Sequence, residues 1–362
     1  MCIRTYILSK PHECQIHMTT PWHPRVLVIG PGGTKGLKVL GFLVPIEDEN
    51  FLSRVDTYCG VSIGAVICLL MVAGYPMRDI VGEAVTLNVL TDMTGFNISD
   101  IINNKGFLSN QPVRQRLTKL MVDKFGRVPT LRDLYLLTGK SLVTVTLNAT
   151  DERCEMMGPA THGNVSCVDA TLFSINIPFV FRQMLHHGKA YIDGVFGNPY
   201  PVDHFDDGNT NILAIYIKGP RNKDADKLPS RTKILETIDN KTSELTLQSY
   251  FGKIFHSLVE QYRAKIIAES SDKCKHIRIE AHTNDTIGTG ITTEDKAQML
   301  VEGHKQGKDF LRDVKNGVYD NPQVSVPGKY TYPEYYLRED FTGDTSVLDS
   351  MMTGEENSAP VE

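Results

Sequence analysis

The stretch that most constrains this chain is Val55–Gly74, VDTYCGVSIGAVICLLMVAG. It reads as a short strand, then Gly60-Val61-Ser62-Ile63-Gly64, then a helix apolar on nearly every face. This is the G-x-S-x-G pattern of a nucleophile elbow, a sharp strand-to-helix turn with its serine at the apex. Gly60 and Gly64 are expected to supply the positive φ and the close strand–helix approach that a Cβ forbids. Ser62 then stands clear of the sheet edge, with the positive end of a helix dipole behind it. A glycine-rich turn capped by a serine has the same pattern without any chemistry, so the surrounding sequence has to separate the two.

Upstream, Arg25–Ile29 (RVLVI) is a β-branched run of the kind found in buried strands. It enters Gly30-Pro31-Gly32-Gly33-Thr34-Lys35-Gly36 directly, and an apolar helix, Leu37–Val44, follows and is expected to stop at Pro45. Strand, glycine loop and helix start together make a cradle of amides for an anion. A Walker A loop is excluded because Gly36, not Ser or Thr, follows Lys35, and Thr34 rather than Gly precedes it. A dinucleotide fingerprint counted from Gly30 fails because Lys35 stands where its last glycine belongs. An oxyanion hole donated by the amides of Gly32 and Gly33 suits a serine nucleophile arriving one strand later. A tight βα turn with no ligand is the plain alternative.

Helical patterns recur at Met77–Val89, Asn110–Phe125, Val168–Ile175, across 233–269 and at Thr292–Val314. Strand patterns recur at Ser141–Leu147, Lys189–Ile192, Asn211–Ile217 and Cys274–Ala281. The alternation predicts an α/β fold with a largely parallel central sheet and helices on both faces. In such sheets reactive groups gather beyond the strands' carboxyl ends, where Gly32–Gly36, Ser62 and Asp193 all fall. Residues 1–24 read as an irregular lead-in and 25–320 as one domain, with its motifs in 25–217 and a helical part in 233–320. Residues 321–362 read as a disordered tail, with eight acidic residues against one arginine between Glu334 and Glu362.

The net charge of −5 offers no basic field for nucleic acid. Seven scattered cysteines without a CxxC pair argue against a disulfide framework or a zinc knuckle and for a reducing compartment. No His, Cys, Asp or Glu group has metal-ligand spacing, so no metal or other cofactor is implied. The N-terminus lacks an apolar h-region, and the longest apolar run, Ile63–Ala73, falls short of the ~20 residues that span a bilayer. The expectation is a cytoplasmic chain with neither signal peptide nor transmembrane helix, able to visit a membrane surface.

Serine needs a general base within hydrogen-bond reach. The α/β-hydrolase order of serine, acid, histidine would draw on His204, His256, His276, His282 or His304. None of these sits at a strand end flanked by glycines, and too little sheet precedes Ser62 for that fold. A carboxylate acting directly on the serine is the second solution. Asp193 suits it, because it closes a strand and is followed by Gly194 and the loop Phe196-Gly197-Asn198-Pro199. An Asx-turn is the plain reading of the same aspartate. His186 and His187 read as loop histidines.

Four segments, in order and spacing, resemble the patatin-like phospholipase family of lipid acyl hydrolases. Gly32-Gly33-Thr34-Lys35-Gly36 is similar to the family's G-G-G-x-[KR]-G, and Gly60-Val61-Ser62-Ile63-Gly64-Ala65 to its elbow. Residues 170–181 resemble the family segment ending S-x-x-x-P-x-x-F, through Ser174, Pro178 and Phe181. Tyr191-Ile192-Asp193-Gly194 followed by Asn198-Pro199-Tyr200-Pro201-Val202 is the fourth. The resemblance covers Arg25–Ile217 and implies a patatin-like three-layer fold. It implies Ser62 as nucleophile, Asp193 as base, and Gly32 and Gly33 as oxyanion donors. Gly60 and Gly64 then frame the elbow, Lys35 and Gly36 close the glycine loop, and Gly194 turns the chain after the aspartate.

The implied activity is metal-independent, phospholipase A-type hydrolysis of phospholipid or other ester lipids through an acyl-enzyme. Transient membrane contact goes with it, and an activating protein partner is compatible with it. A transacylase and a lipid-binding module without catalysis fit the same motifs. Two positions depart from the family pattern. Pro31 replaces the loop's first glycine and removes an amide. Val195 follows Asp193-Gly194 where Gly or Ala is usual, and is expected to crowd the aspartate. Lys35 reads either as a contact for a lipid phosphate or as a solvated cation, and a lid is expected within residues 77–108.

Overall fold

All four residues of the first strand, Val26–Ile29, are buried, and they alternate between two apolar clusters. Leu27 and Ile29 face one cluster, Val26 and Val28 the other. A strand buried on both faces belongs in the middle of a layered α/β structure. The computed structural model describes residues 22–86, 103–218, 247–281 and 291–322, which lie within one compact unit, Met1–Val324.

The strands are β1 (Val26–Ile29), β2 (Thr57–Val61), β3 (Gly106–Leu108), β4 (Ser141–Asn148), β5 (Arg153–Met157), β6 (Phe179–Phe181), β7 (Met184–His186), β8 (Lys189–Asp193), β9 (Ile212–Lys218) and β10 (Cys274–Glu280). The helices are α1 (Gly36–Asp48), α2 (Ile63–Val72), α3 (Met77–Thr86), α4 (Gln111–Phe125), α5 (Leu131–Thr138), α6 (Cys167–Ser174), α7 (Leu247–Glu269) and α8 (Thr293–Lys315). The central sheet runs β10-β9-β1-β2-β4-β8-β7, with β5 also on β4. β10, β9, β1, β2 and β4 are parallel, as the alternation predicts. β5 and β8 run antiparallel to β4, and β7 antiparallel to β8. β3 and β6 form a small separate parallel pair.

Helices cover both faces unequally. Side chains from α1 through α6 and from α8 fill the cluster on the Leu27 face. The opposite cluster is closed by Ile266 and Ile267 of α7 together with Tyr200 and Val202.

The register on β4 organises the molecule. β2 pairs with β4 up to Val61 opposite Val145, and β8 pairs with it from Asp193 opposite Thr146. β5 occupies the other edge of β4 along Thr144–Asn148. β2 and β8 therefore share one edge, running toward each other, and their carboxyl ends meet beside Val145 and Thr146. Asp193 does lie at a strand's carboxyl end, but that strand descends antiparallel from above the parallel sheet.

Pro45 does not stop α1, which continues to Asp48. A Cβ on Gly303 would overlap the Lys38 carbonyl, and one on Gly307 would stand 2.6 Å from Pro45 Cγ. The glycines of α8 thus bring its backbone against α1, and this packing outweighs the one helical hydrogen bond that proline forfeits. Sequence patterns also missed α5, whose Thr130 and Asp133 form a capping box. The β7–β8 hairpin was missed as well. It turns on His187 (φ 49) and Gly188 (φ 76), the double positive φ of a two-residue hairpin loop. The expected 77–89 helix is seen as Met77–Thr86, and residues 87–102, within the expected lid, fall outside the described residues, as do 219–246 and the acidic tail from 323.

β10 is an edge strand whose outward carbonyls are all taken by side chains. Asn321 Nδ2 donates to Cys274 O at 2.8 Å and the Tyr319 hydroxyl to His276 O at 2.5 Å. Gln306 Nε2 reaches Arg278 O at 2.7 Å and Lys38 Nζ reaches Glu280 O at 2.7 Å. Occupied carbonyls of this kind make the edge a poorer template for pairing with another chain.

Gly303→Ala is expected to destabilise the fold by about 1–3 kcal/mol through overpacking. The measurement is the urea midpoint, with the slope unchanged. Gly82→Ala in α3, where nothing lies within 4 Å of the new Cβ, is expected to be neutral or stabilising.

Candidate active site

Ser62 sits between β2 and α2 with φ 56 and ψ −127, a conformation that non-glycine residues rarely adopt. The strain is at the serine itself. Gly60 and Gly64 are not among the positive-φ glycines, which corrects the expectation that they supply it. Their role is close approach. A Cβ on Gly60 would overlap the Ala65 backbone, and one on Gly64 would overlap the Ile29 carbonyl at the end of β1. The turn is held by the Ser62 amide, which donates to Ser174 Oγ at 3.0 Å, and by the Ser62 carbonyl, which accepts from Ala65 N at 2.8 Å. Ser174 is fully buried at the end of α6.

Asp193 is fully buried, and its Oδ2 accepts the Ser62 hydroxyl at 2.6 Å. Its Oδ1 accepts the Val195 amide at 2.8 Å, and its own amide donates to Asn176 O at 2.9 Å. Asn176 Nδ2 donates to Tyr191 O at 2.9 Å, which ties the end of α6 to β8. A Cβ on Gly194 would overlap the Val145 carbonyl, so a glycine is required for the chain to turn against β4 directly after the aspartate. Burial raises the Asp193 carboxyl to about 7, against the lowering influence of its bonds to Ser62 and Val195. Val195 does not crowd the carboxylate. Its side chain packs against the apolar cluster on the Val26 face, while its amide supports the carboxylate.

The glycine loop touches the elbow. Gly36 lies where a Cβ would stand 2.8 Å from Ile63 Cγ1, and Ile63 follows Ser62 directly. Gly33 has a positive φ of 56 and leads a single turn of 3-10 helix, Gly33–Lys35, into α1. Among the described residues, the amides of Gly32 and Gly33 meet no acceptor. Pro31 stands half-buried at the loop's start. Lys35 is buried, so its reading as a solvated cation falls.

Among the described residues the histidines lie elsewhere. His276 is buried on β10 with Nδ1 2.8 Å from the Tyr200 hydroxyl, and His204 packs edge-on against Phe205. His256 and His304 lie on α7 and α8, and His282 is outside the described residues. His186 ends β7, with its ring against Phe173. Among the described residues no group of three or more His, Cys, Asp or Glu is arranged to hold a metal ion. Ser174 and Asn176 are the site residues that sequence reasoning left without a role. Their signal was present in the segment ending Ser174-x-x-x-Pro178-x-x-Phe181, but nothing local shows that its serine reaches back 112 positions to the elbow.

Residues 27–206 match the patatin-like phospholipase family. The chain is 24% identical over 201 residues to the probable lipid hydrolase 463L of Invertebrate iridescent virus 6, covering 55% of this chain and 69% of that protein. It is 24% identical over 217 residues to the uncharacterized protein R571 of Acanthamoeba polyphaga mimivirus, covering 59% and 72%. Among solved structures, the fold is shared with VipD from Legionella pneumophila. The TM-score is 0.51 at 17% identity, covering 81% of this chain and 67% of that one.

Ser174→Ala leaves the buried Ser62 amide without an acceptor, at a cost of about 1–3 kcal/mol. The expected outcome is a matching loss in denaturant stability and, with the strained turn relaxed, roughly tenfold slower labelling of Ser62 by a fluorophosphonate probe. Labelling at the wild-type rate would show that the contact does not position the serine.

Proposed function

The chain belongs to the patatin-like phospholipase family through residues 27–206, and from that premise we propose that it is a phospholipase A-type acyl hydrolase acting through Ser62 and Asp193. The observation that carries this reading is the 2.6 Å bond from the Ser62 hydroxyl to a fully buried carboxylate, at a strained elbow. Strain of this kind persists where the surroundings over-determine it, and it clusters at working sites.

In this reading Asp193 accepts the Ser62 proton as Oγ attacks the ester carbonyl. The carbonyl oxygen becomes an oxyanion, and the unpartnered amides of Gly32 and Gly33, next to the elbow through Gly36, are its candidate donors. Collapse expels the lysolipid alcohol, which takes the proton from Asp193 and leaves a fatty-acyl ester on Ser62. Water deprotonated by Asp193 then releases the acid and restores the serine. Pro31 withholds one amide from the loop, but both candidate donors lie after it.

The test is fatty-acid release from phospholipid vesicles with chelator present. Ser62→Ala is expected to abolish release, and Asp193→Asn to lower it by about 10²–10⁴-fold. Absence of release by the wild type, on vesicles and on a soluble aryl ester alike, would sink the hydrolase reading. Release of acyl groups only onto an added alcohol would make it a transacylase.

Activity should also rise with pH around a midpoint near 7, because the base must be ionised. Stability should move the other way. The folded carboxyl holds its proton more tightly than the unfolded one, so between about pH 4 and the folded value near 7 the native state carries more protons and stability falls as pH rises. Asp193→Asn is therefore expected to melt several degrees above wild type at pH 8 and close to it at pH 5, while losing activity at both. Equal melting at pH 8 would mean that the carboxylate bears no burial penalty.

A further inference from the structure

We propose that the rim formed by β3, β6 and β7 docks on an anionic lipid surface. The purpose of such docking rests on the hydrolase reading, but its evidence and its test do not. Phe179, the first residue of β6, is 66% exposed with φ 67. A positive φ on an aromatic residue is a strained outlier, and here the strain holds an apolar ring in solvent. The fold enforces it, since Phe179 N donates to Lys105 O at 3.2 Å, Arg182 N to Leu108 O at 2.9 Å and Gln183 N to Asn104 O at 3.0 Å. Leu185, on β7, is 63% exposed. Phe179 follows Asn176 by three residues, and the Asn176 carbonyl holds the Asp193 amide. The exposed residue thus lies within about 10 Å of the backbone that supports the site.

The charge on this rim is one-sided. Residues 103–110 and 175–192 contain Lys105, Arg182 and Lys189 and no aspartate or glutamate, in a chain of net charge −5. Lys189 pairs with Asp151 at 2.5 Å, while Lys105 and Arg182 have no ion pair among the described residues. Apolar side chains interleaved with unpaired cations match a surface that is anionic above and apolar below. A second exposed apolar group, Tyr135, Leu136 and Leu137 on α5, lies just before Ser141, where β4 begins. It is thereby separated from the level of Thr146, where the site lies, by about 17 Å of strand. It serves as the control.

The experiment is co-sedimentation of the full chain with vesicles of diether phosphatidylcholine, alone or mixed with diether phosphatidylglycerol. Ether lipids have no ester to cleave, so the result does not depend on turnover. Partitioning onto the mixed vesicles is expected to exceed that onto neutral ones and to weaken with salt. Phe179→Asn, which tolerates a positive φ better than an aromatic residue and so keeps or raises the melting temperature, should lower partitioning about tenfold. Arg182→Glu should lower it at least about fivefold, and Leu136→Ser should not change it.

The proposal is overturned by no partitioning onto mixed vesicles, by equal partitioning onto neutral ones, by wild-type partitioning of Phe179→Asn, or by an equal loss in Leu136→Ser. The two readings fail separately. A chain that partitions as described but releases no fatty acid from ester lipids keeps the docking surface and loses the hydrolase. One that releases fatty acid without partitioning does the reverse.

Discussion

Everything in this molecule depends on the meeting of two strand ends on one edge of β4. β2 climbs to Val61 opposite Val145, β8 descends to Asp193 opposite Thr146, and the serine and the aspartate face each other across the gap. Neither strand could bring this about alone. The parallel sheet sets the height of Ser62, and the antiparallel β8 brings a carboxylate from the opposite direction to the same height. β4 is the common ruler, because both registers are read along its hydrogen-bond ladder. A one-residue slip of β8 would turn Asp193 to the other face and put Ile192 in its place. The Thr146 hydroxyl, which donates to Ile192 O at 2.8 Å, and Gly194, which fits only without a Cβ against Val145 O, both fix that register.

Two energetic costs are concentrated at the junction, and each has an identifiable support. Ser62 is held at a strained positive φ, and the buried hydroxyl of Ser174 takes its amide in place of a sheet partner. Asp193 is stripped of water, and two donors, Ser62 Oγ and Val195 N, stand in for it. The donors lower the carboxyl's pKa, but not enough to cancel burial, so it settles near 7. Both supports come from α6 and the turn after β8, which Asn176 stitches together through its backbone and its side chain. The segment from Ser174 to Asn176 is thus common to the two halves of the site.

The fold class was legible because near-continuous apolar runs such as Val26–Ile29 and Ile212–Lys218 alternate with helical patterns, and a doubly buried parallel sheet leaves that trace. The elbow was legible for a different reason, since Gly60 and Gly64 are needed wherever a helix must return this closely against its own strand. The failures have physical causes too. Pro45 carries a local signal to stop, and the packing of α1 on Gly303 and Gly307 overrides it from more than 250 residues away. β6 and β7 are three residues each, too short for any periodicity to appear. Ser174 was invisible as a site residue because a hydroxyl at a helix end looks the same whether it caps the helix or reaches across to another turn. Long-range partners are what a local reading cannot supply.

In the proposed reading, that no histidine among the described residues bonds Ser62 Oγ has a physical account. A general base for serine works best with a pKa near the operating pH, a value imidazole has without assistance and a carboxylate does not. A carboxylate reaches it by burial, and Asp193 is fully buried behind Ser62 with its second oxygen bound to a backbone amide. As the base proposed here, it would also dispense with a third residue, because a histidine must be held in one tautomer whereas a carboxylate presents equivalent oxygens. The price is stability at neutral pH, where the ionised aspartate remains in an apolar interior. It is met by the sheet around it, whose central strands are buried on both faces and whose outer edge at β10 is sealed by side chains. A site built on one stressed carboxylate requires a rigid frame, and the register of β4 with its two neighbours provides it.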